Sequence, residues 1–151
     1  MASFYMTLPE PKNLQYARKH MAAAYAAIAT GEFNLEHFPS TTVEKAYYSL
    51  FHACRSALGL LGFYPRSHEG VHNLIYNEYV KTELLPKEVA SALSNLIERR
   101  LKATYDYYPY TSEEARIHLD RAIDAVNQIH DYLYGLYPDV FKFETLGQPY
   151  L

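Results

Sequence analysis

Apolar residues recur along this chain at steps of three and four positions, broken by short polar or Gly/Pro-containing stretches, and that period predicts helix. Residues 13–30 carry Leu14, Ala17, Met21, Ala24, Tyr25 and Ile28 at this spacing, alanine favours helix, and Gly31 is the expected stop. A second helix opens at the capping-box pair Thr41 and Glu44. It carries Val43, Ala46, Tyr47, Leu50, Phe51, Cys54, Leu58 and Leu61, and ends at Gly62 and Pro65. Ser67 caps a third, which runs through Val71, Leu74, Ile75 and Tyr79 towards Glu83. Pro86 suits the first turn of a fourth, with Val89, Leu93, Leu96, Ile97 and Leu101 as its apolar positions and an end near Ala103. After an aromatic break over residues 105–110, Thr111 and Glu114 form another capping box. The fifth helix then carries Ala115, Leu119, Ala122, Ile123, Val126, Ile129 and Leu133, and Gly135 and Pro138 close it.

No alternating run supports a strand and the connections are short. The expected fold is all-α, an up-and-down bundle of four to five antiparallel helices in a single domain over residues 1–135. Residues 136–151 hold Phe141, Phe143 and Leu146 without a period, and read as a C-terminal tail that docks irregularly or meets a neighbouring chain.

Composition narrows the function classes. No stretch approaches the roughly 18 apolar residues of a spanning helix, so no membrane association is expected. A lone Cys54 and the absence of a secretory pattern make the cytoplasm the expected compartment. A net charge of −3 argues against broad, sequence-independent capture of a nucleic-acid backbone and leaves room for a local basic cleft. The chain has 16 tyrosines and no tryptophan. Tyr16, Tyr25 and Tyr47 fall at helical spacing and suit packing, whereas Tyr105, Tyr107, Tyr108 and Tyr110 crowd one turn.

Three constellations could carry chemistry. On the second helix, Tyr48, His52 and Arg55 lie four and three residues apart and share a face that suits an anion, or a boundary histidine hydrogen-bonded inside the bundle. His68 and His72 have the i, i+4 spacing of a zinc pair but no third ligand is evident, so the reading assigns no metal and no cofactor. At the end of the fourth helix, Arg99, Arg100 and Lys102 gather positive charge beside the C-terminal dipole, ahead of Tyr105, Asp106, Tyr107 and Tyr108. Arginine can hold a phosphate bidentately, tyrosine can stack on a base, and Asp106 can orient either, although a solvated helix end with an aromatic turn has the same composition. No phosphate loop, dinucleotide fingerprint or nucleophile elbow is present, and Cys54 reads as a small core residue.

Taken in order, A-Y-Y-S-L-F-H-A-C-R from Ala46, P-R-S-H-E-G-V from Pro65, L-P-K-E-V from Leu85 and R-L-K-A-T-Y-D from Arg100 resemble the HEPN superfamily, in its small stand-alone branch of the UPF0332 type. The likeness runs over residues 13–133. It implies a helical bundle that dimerises, with the functional cleft between two copies, and a metal-independent endoribonuclease or a relic of one, often paired as a toxin with a minimal nucleotidyltransferase. The family's nuclease motif is an arginine followed four to six residues later by histidine, and here Tyr105 follows Arg100 in place of that histidine. The stand-alone pattern R-x-x-A-D-Y is met by Arg100, Ala103 and Tyr105, with Thr104 in place of the aspartate. In the toxin branch a tyrosine two residues beyond the motif histidine receives AMP from the partner, and Tyr107 holds that position.

The expectation is therefore an RNA- or nucleotide-binding homodimer. Arg100 would stabilise developing phosphorane charge, His52 or Tyr105 would handle protons, and Arg99, Lys102, Asp106, Arg55 and Tyr48 would line the ligand. The rival expectation is a non-catalytic interaction module that partners a minimal nucleotidyltransferase.

Overall fold

A computed structural model gives the fold over residues 9–143 as six α-helices, with no strand among the described residues. They are α1 (Pro11–Asn34), α2 (Pro39–Leu60), α3 (His68–Ile75), α4 (Lys87–Tyr105), α5 (Ser112–Leu136) and α6 (Pro138–Phe141), with a π-helical turn over Tyr76–Val80 between α3 and α4. The core centres on α2, which packs against α1, α4 and α5. Tyr47, Leu50 and Leu58 of α2 are fully buried, each leucine contributing roughly 1.5–3 kcal/mol of hydrophobic stabilisation.

The neighbours run antiparallel, and named contacts show it. Thr42 donates to the Gly31 carbonyl at 2.6 Å near one end of the α1–α2 pair, and Ser56 donates to the Ala17 carbonyl at 2.6 Å near the other. Between α4 and α2, Thr104 meets Glu44 while Arg100 stands over Tyr48. The all-α bundle expected from the periodicity is the observed architecture.

Several boundaries differ from the sequence expectation, each for a tertiary reason. Gly31 does not end α1, which continues to Asn34. Gly31 is a close-approach position instead, because a Cβ there would lie 3.3 Å from Leu119 Cδ1. At the start of α2, Thr41 and Glu44 form no capping box. The helix starts at Pro39, and Glu44 accepts a hydrogen bond from Thr104 Oγ1 at 2.6 Å. The third helix changes to a π-helical turn, which brings Tyr79 into the core to donate to the Ala57 carbonyl at 2.5 Å. Gly135 lies inside α5, and Pro138 opens α6.

The Ser67 cap and the Thr111–Glu114 capping box form as expected, with Ser67 Oγ accepting from Gly70 N–H at 2.9 Å. The start of the tail docks on the bundle. Phe141 is fully buried, and the Arg18 guanidinium donates to the Val140 and Lys142 carbonyls. Leu146 and the rest of the tail lie outside the described residues. Among those described, no helix is long and apolar enough to cross a membrane.

Candidate functional site

The site is built on the face of α2 that meets α1 and α4. Tyr48, His52 and Arg55 follow one another at helical steps, as the sequence requires, and each meets a different partner. His52 Nδ1 lies 3.0 Å from His20 Nδ1 of α1, so one ring must donate and the other accept. Arg55 donates from Nε to the Tyr16 hydroxyl at 3.1 Å. Tyr16 in turn rests against His20, ring centroids 4.3 Å apart. Tyr48 and His52, with Lys45, form one wall of a cleft of about 390 Å³ whose opposite wall is the small-residue face Ala23, Ala26 and Ala27 of α1.

Arg100 enters from α4. Its guanidinium carbon stands 5.2 Å from the Tyr48 ring centroid and 6.0 Å from that of Tyr105, an aromatic bracket that suits a weakly hydrated planar cation. Arg100 Nε is buried and hydrogen-bonds to nothing, and no carboxylate pairs with Arg100 among the described residues. Arg116 on α5 shows the contrast. It is held by both Glu32 and Asp120.

The structure brings Arg100, Tyr48 and Tyr105 together, and it separates Arg99 from them. Arg99 turns towards α5, where its charge lowers the His118 pKa after burial has done so, and Tyr110 donates to its carbonyl at 3.1 Å. Lys102 and Asp106 are exposed, and the Asp106 amide closes the end of α4 on the Lys102 carbonyl. The three cations therefore do not share one face, since adjacent helical residues point about 100° apart. Tyr107 is 84% exposed and has φ of 52°, in the left-handed region.

Two histidines join the site that sequence reasoning had not placed there. One is His20. Burial first, then the charges of Arg55, His52 and Lys19, lower its pKa from 6.5 to about 4. The other is His68, whose Nδ1 lies 2.6 Å from the hydroxyl of the fully buried Tyr47 and whose ring packs on Phe51 at 4.9 Å. Burial and then Arg100 lower the His68 pKa. For His52 the causes are burial, Arg55 and Lys45. The histidine that feels Arg100 is thus His68. Local spacing carried no signal for either, because both contacts join separate elements; the one available hint was the turn at Pro65 that returns Ser67 and His68 onto α2.

A second, larger groove of about 690 Å³ between α4 and α5 is lined by Glu88, Asp120 and Asp124 with Arg121. Its excess of carboxylates makes it a poor phosphate site. Cys54 is fully buried and burial pushes its thiol pKa up, which makes it inert packing.

The model of the HEPN domain family matches residues 12–133 of this chain. The chain is also similar to UPF0332 protein PH1297 of Pyrococcus horikoshii, at 27% identity over 92 residues. That alignment covers 60% of this chain and 61% of the relative, so it spans less than two thirds of the relative's length.

Proposed function

The chain belongs to the HEPN family, and on that premise we propose that its Arg100 cleft binds RNA or a nucleotide through phosphate. One observation carries the reading: a half-buried guanidinium bracketed by Tyr48 and Tyr105, with a buried Nε and no carboxylate partner among the described residues. A buried guanidinium N–H without an acceptor is costly, and a phosphate supplies two oxygens to the fork. The adjoining cleft, with alanine methyls on one side and Lys45 and His52 on the other, suits a sugar or base beside that phosphate. Tyr48 and Tyr105 offer faces for stacking.

Metal-independent cleavage of RNA is the activity such a site would support. The ribose 2′-hydroxyl would attack the adjacent phosphorus and displace the 5′-oxygen, His52 or Tyr105 taking the 2′-hydroxyl proton and a proton passing to the leaving 5′-oxygen, with Arg100 compensating the developing negative charge. The reading extends to a homodimer in the cytoplasm, in which a second copy completes the cleft.

The test is direct. Labelled single-stranded RNA is incubated with the purified full chain in EDTA, and binding and cleavage are measured for the unsubstituted protein and for Arg100→Ala. Binding weakened at least about tenfold by the substitution supports the cleft, matching the roughly 1.4 kcal/mol or more expected of a charge-assisted pair. Equal binding by both proteins removes it. Cleavage that depends on Arg100 adds the ribonuclease, whereas intact RNA leaves a binding module.

A second reading, partnership with a minimal nucleotidyltransferase that modifies Tyr107, is favoured by the exposure of that ring on the turn after α4.

A further inference from the structure

Tyr47 and His68 form a polar pair that the reading above does not use. Tyr47 lies in the middle of α2 with no exposed surface, and the contact of its hydroxyl is to His68 Nδ1 at 2.6 Å. A buried hydroxyl that fails to donate leaves an unsatisfied proton, so Tyr47 donates to Nδ1. Burial raises the Tyr47 pKa, which keeps that proton on oxygen. Neutral His68 must then carry its own proton on Nε2.

The ring is also fixed from its backbone. His68 is the first residue of α3, behind the Ser67 cap, and a Cβ on Gly70 would come within 2.9 Å of Ser67 Oγ, so glycine lets the turn close. Phe51 and Tyr47 flank the imidazole, centroids 4.9 and 5.4 Å away. Arg100 reaches this pair from α4 across Tyr48, whose ring lies 5.5 Å from that of Tyr47 and 5.2 Å from the guanidinium carbon, and its charge disfavours the cationic imidazole and favours the phenolate.

We propose that His68, oriented by Tyr47, is the second phosphate-binding group of the Arg100 cleft, donating from Nε2 and taking up a proton when phosphate arrives. This rests on the reading that the cleft takes a phosphate ligand. Without a phosphate ligand, burial and the Arg100 charge, which no carboxylate pairs among the described residues, both disfavour the cationic imidazole. A phosphate cancels the Arg100 field and adds attraction for a second cation. The added proton goes to Nδ1, and Tyr47 then turns from donor to acceptor. That reversal strands the buried hydroxyl proton and is a further reason why the free protein resists it. The charged and titratable groups that face His68 are Tyr47 on α2, Arg100 on α4 and His72 on its own helix, whose pKa His68 lowers in turn.

The probe is a labelled single-stranded oligouridylate, whose phosphodiesters do not titrate between pH 6 and 8. Affinity is measured across that range for the unsubstituted full chain, His68→Gln, Tyr47→Phe and Arg100→Ala. The imidazole resonances of His68 are followed by NMR in the unsubstituted chain with and without RNA. The expected result is binding that tightens about fivefold or more from pH 8 to 6, each unit of pKa rise supporting up to a factor of ten. His68→Gln flattens that slope while keeping an amide donor, Tyr47→Phe weakens binding at pH 8, where the neutral tautomer matters, and the His68 pKa rises on RNA binding. RNA that binds through Arg100 with the same slope in His68→Gln, or with an unmoved His68 pKa, overturns this inference and leaves the cleft standing. No binding by the unsubstituted chain, or full binding by Arg100→Ala, overturns the cleft and the inference together. The NMR arm needs no variant, so a poorly folded substitution does not blunt the test.

Discussion

His20 of α1 and His52 of α2 face each other through their Nδ1 atoms at 3.0 Å, a contact that only one proton can occupy. A second proton would set two donors against each other, beside Arg55, whose charge lowers both pKa values after burial has done so. His20 is pushed down to about 4 from 6.5. In the unfolded chain it takes its proton first, so stability is full above about pH 6.5 and is lost as the pH falls towards 4. For a half-buried pair the loss is about 1–2 kcal/mol after allowance for solvent screening. His52, His68, His72 and His118 are lowered in the same direction and add to it. Urea unfolding at pH 7.5 and pH 5 should show the drop, and His20→Leu should reduce it. An identical drop in His20→Leu would assign the acid sensitivity to the other histidines.

Gly59 sits where a side chain would strike Tyr16. A Cβ there falls 2.2 Å from Tyr16 Cδ1 and 3.4 Å from Cγ, near the root of the ring rather than at its tip. Gly59→Ala must therefore push Tyr16 off Arg55 and His20, at a cost of about 1–3 kcal/mol despite alanine's better helix propensity. Thermal unfolding measures it. A variant as stable as the parent would mean that α1 and α2 separate at little cost.

Thr111→Ala is expected to cost about 1 kcal/mol, because it removes the acceptor for Glu114 N–H at 3.1 Å and half of the capping box. Thr111→Ser restores the hydroxyl and should recover most of the loss in chemical denaturation. Failure of serine to rescue would show that the threonine methyl, and not the cap, supports α5.

Thr111 also marks what could be read directly from the sequence. Its box with Glu114 is local chemistry at three-residue spacing, and it forms, as does the Ser67 cap. Thr41 with Glu44 has the same spacing and forms none, because Thr104, sixty positions away in the chain, takes the Glu44 carboxylate. Gly31 looked like a stop because glycine commonly is one, while its role is set by Leu119 on another helix. The site divides in the same way. Arg100 and Tyr105 lie within two turns on one helix, and the sequence shows their kinship. The pairing of His20 with His52 and of Tyr47 with His68 depends on how helices pack, which single-sequence periodicity does not encode.

Arg100 should matter for binding and little for stability. It gains cation–π contact with Tyr48 and Tyr105 but leaves a buried Nε unsatisfied, and these effects oppose each other. Arg100→Met, which keeps the apolar stem, is expected to unfold within about 1 kcal/mol of the parent while RNA affinity falls about tenfold or more. Parallel loss of stability and affinity would show that Arg100 is a packing residue and not a ligand group.

Tyr107 holds a backbone conformation that glycine adopts more cheaply. Its φ of 52° reverses the chain after α4, and the Tyr108 amide closes on the Lys102 carbonyl at 3.1 Å. A non-glycine residue there costs about 1 kcal/mol, so Tyr107→Gly should raise stability slightly or leave it unchanged. The side chain packs little, being 84% exposed, which leaves its hydroxyl accessible to a modifying partner. Under the proposed partnership, co-expression with any minimal nucleotidyltransferase encoded next to this chain should add the mass of one AMP, and Tyr107→Phe should abolish the addition with the fold intact. A mass shift that persists in Tyr107→Phe places the modification elsewhere. An unshifted mass with such a neighbour present removes the partnership and leaves the Arg100 cleft to account for function alone.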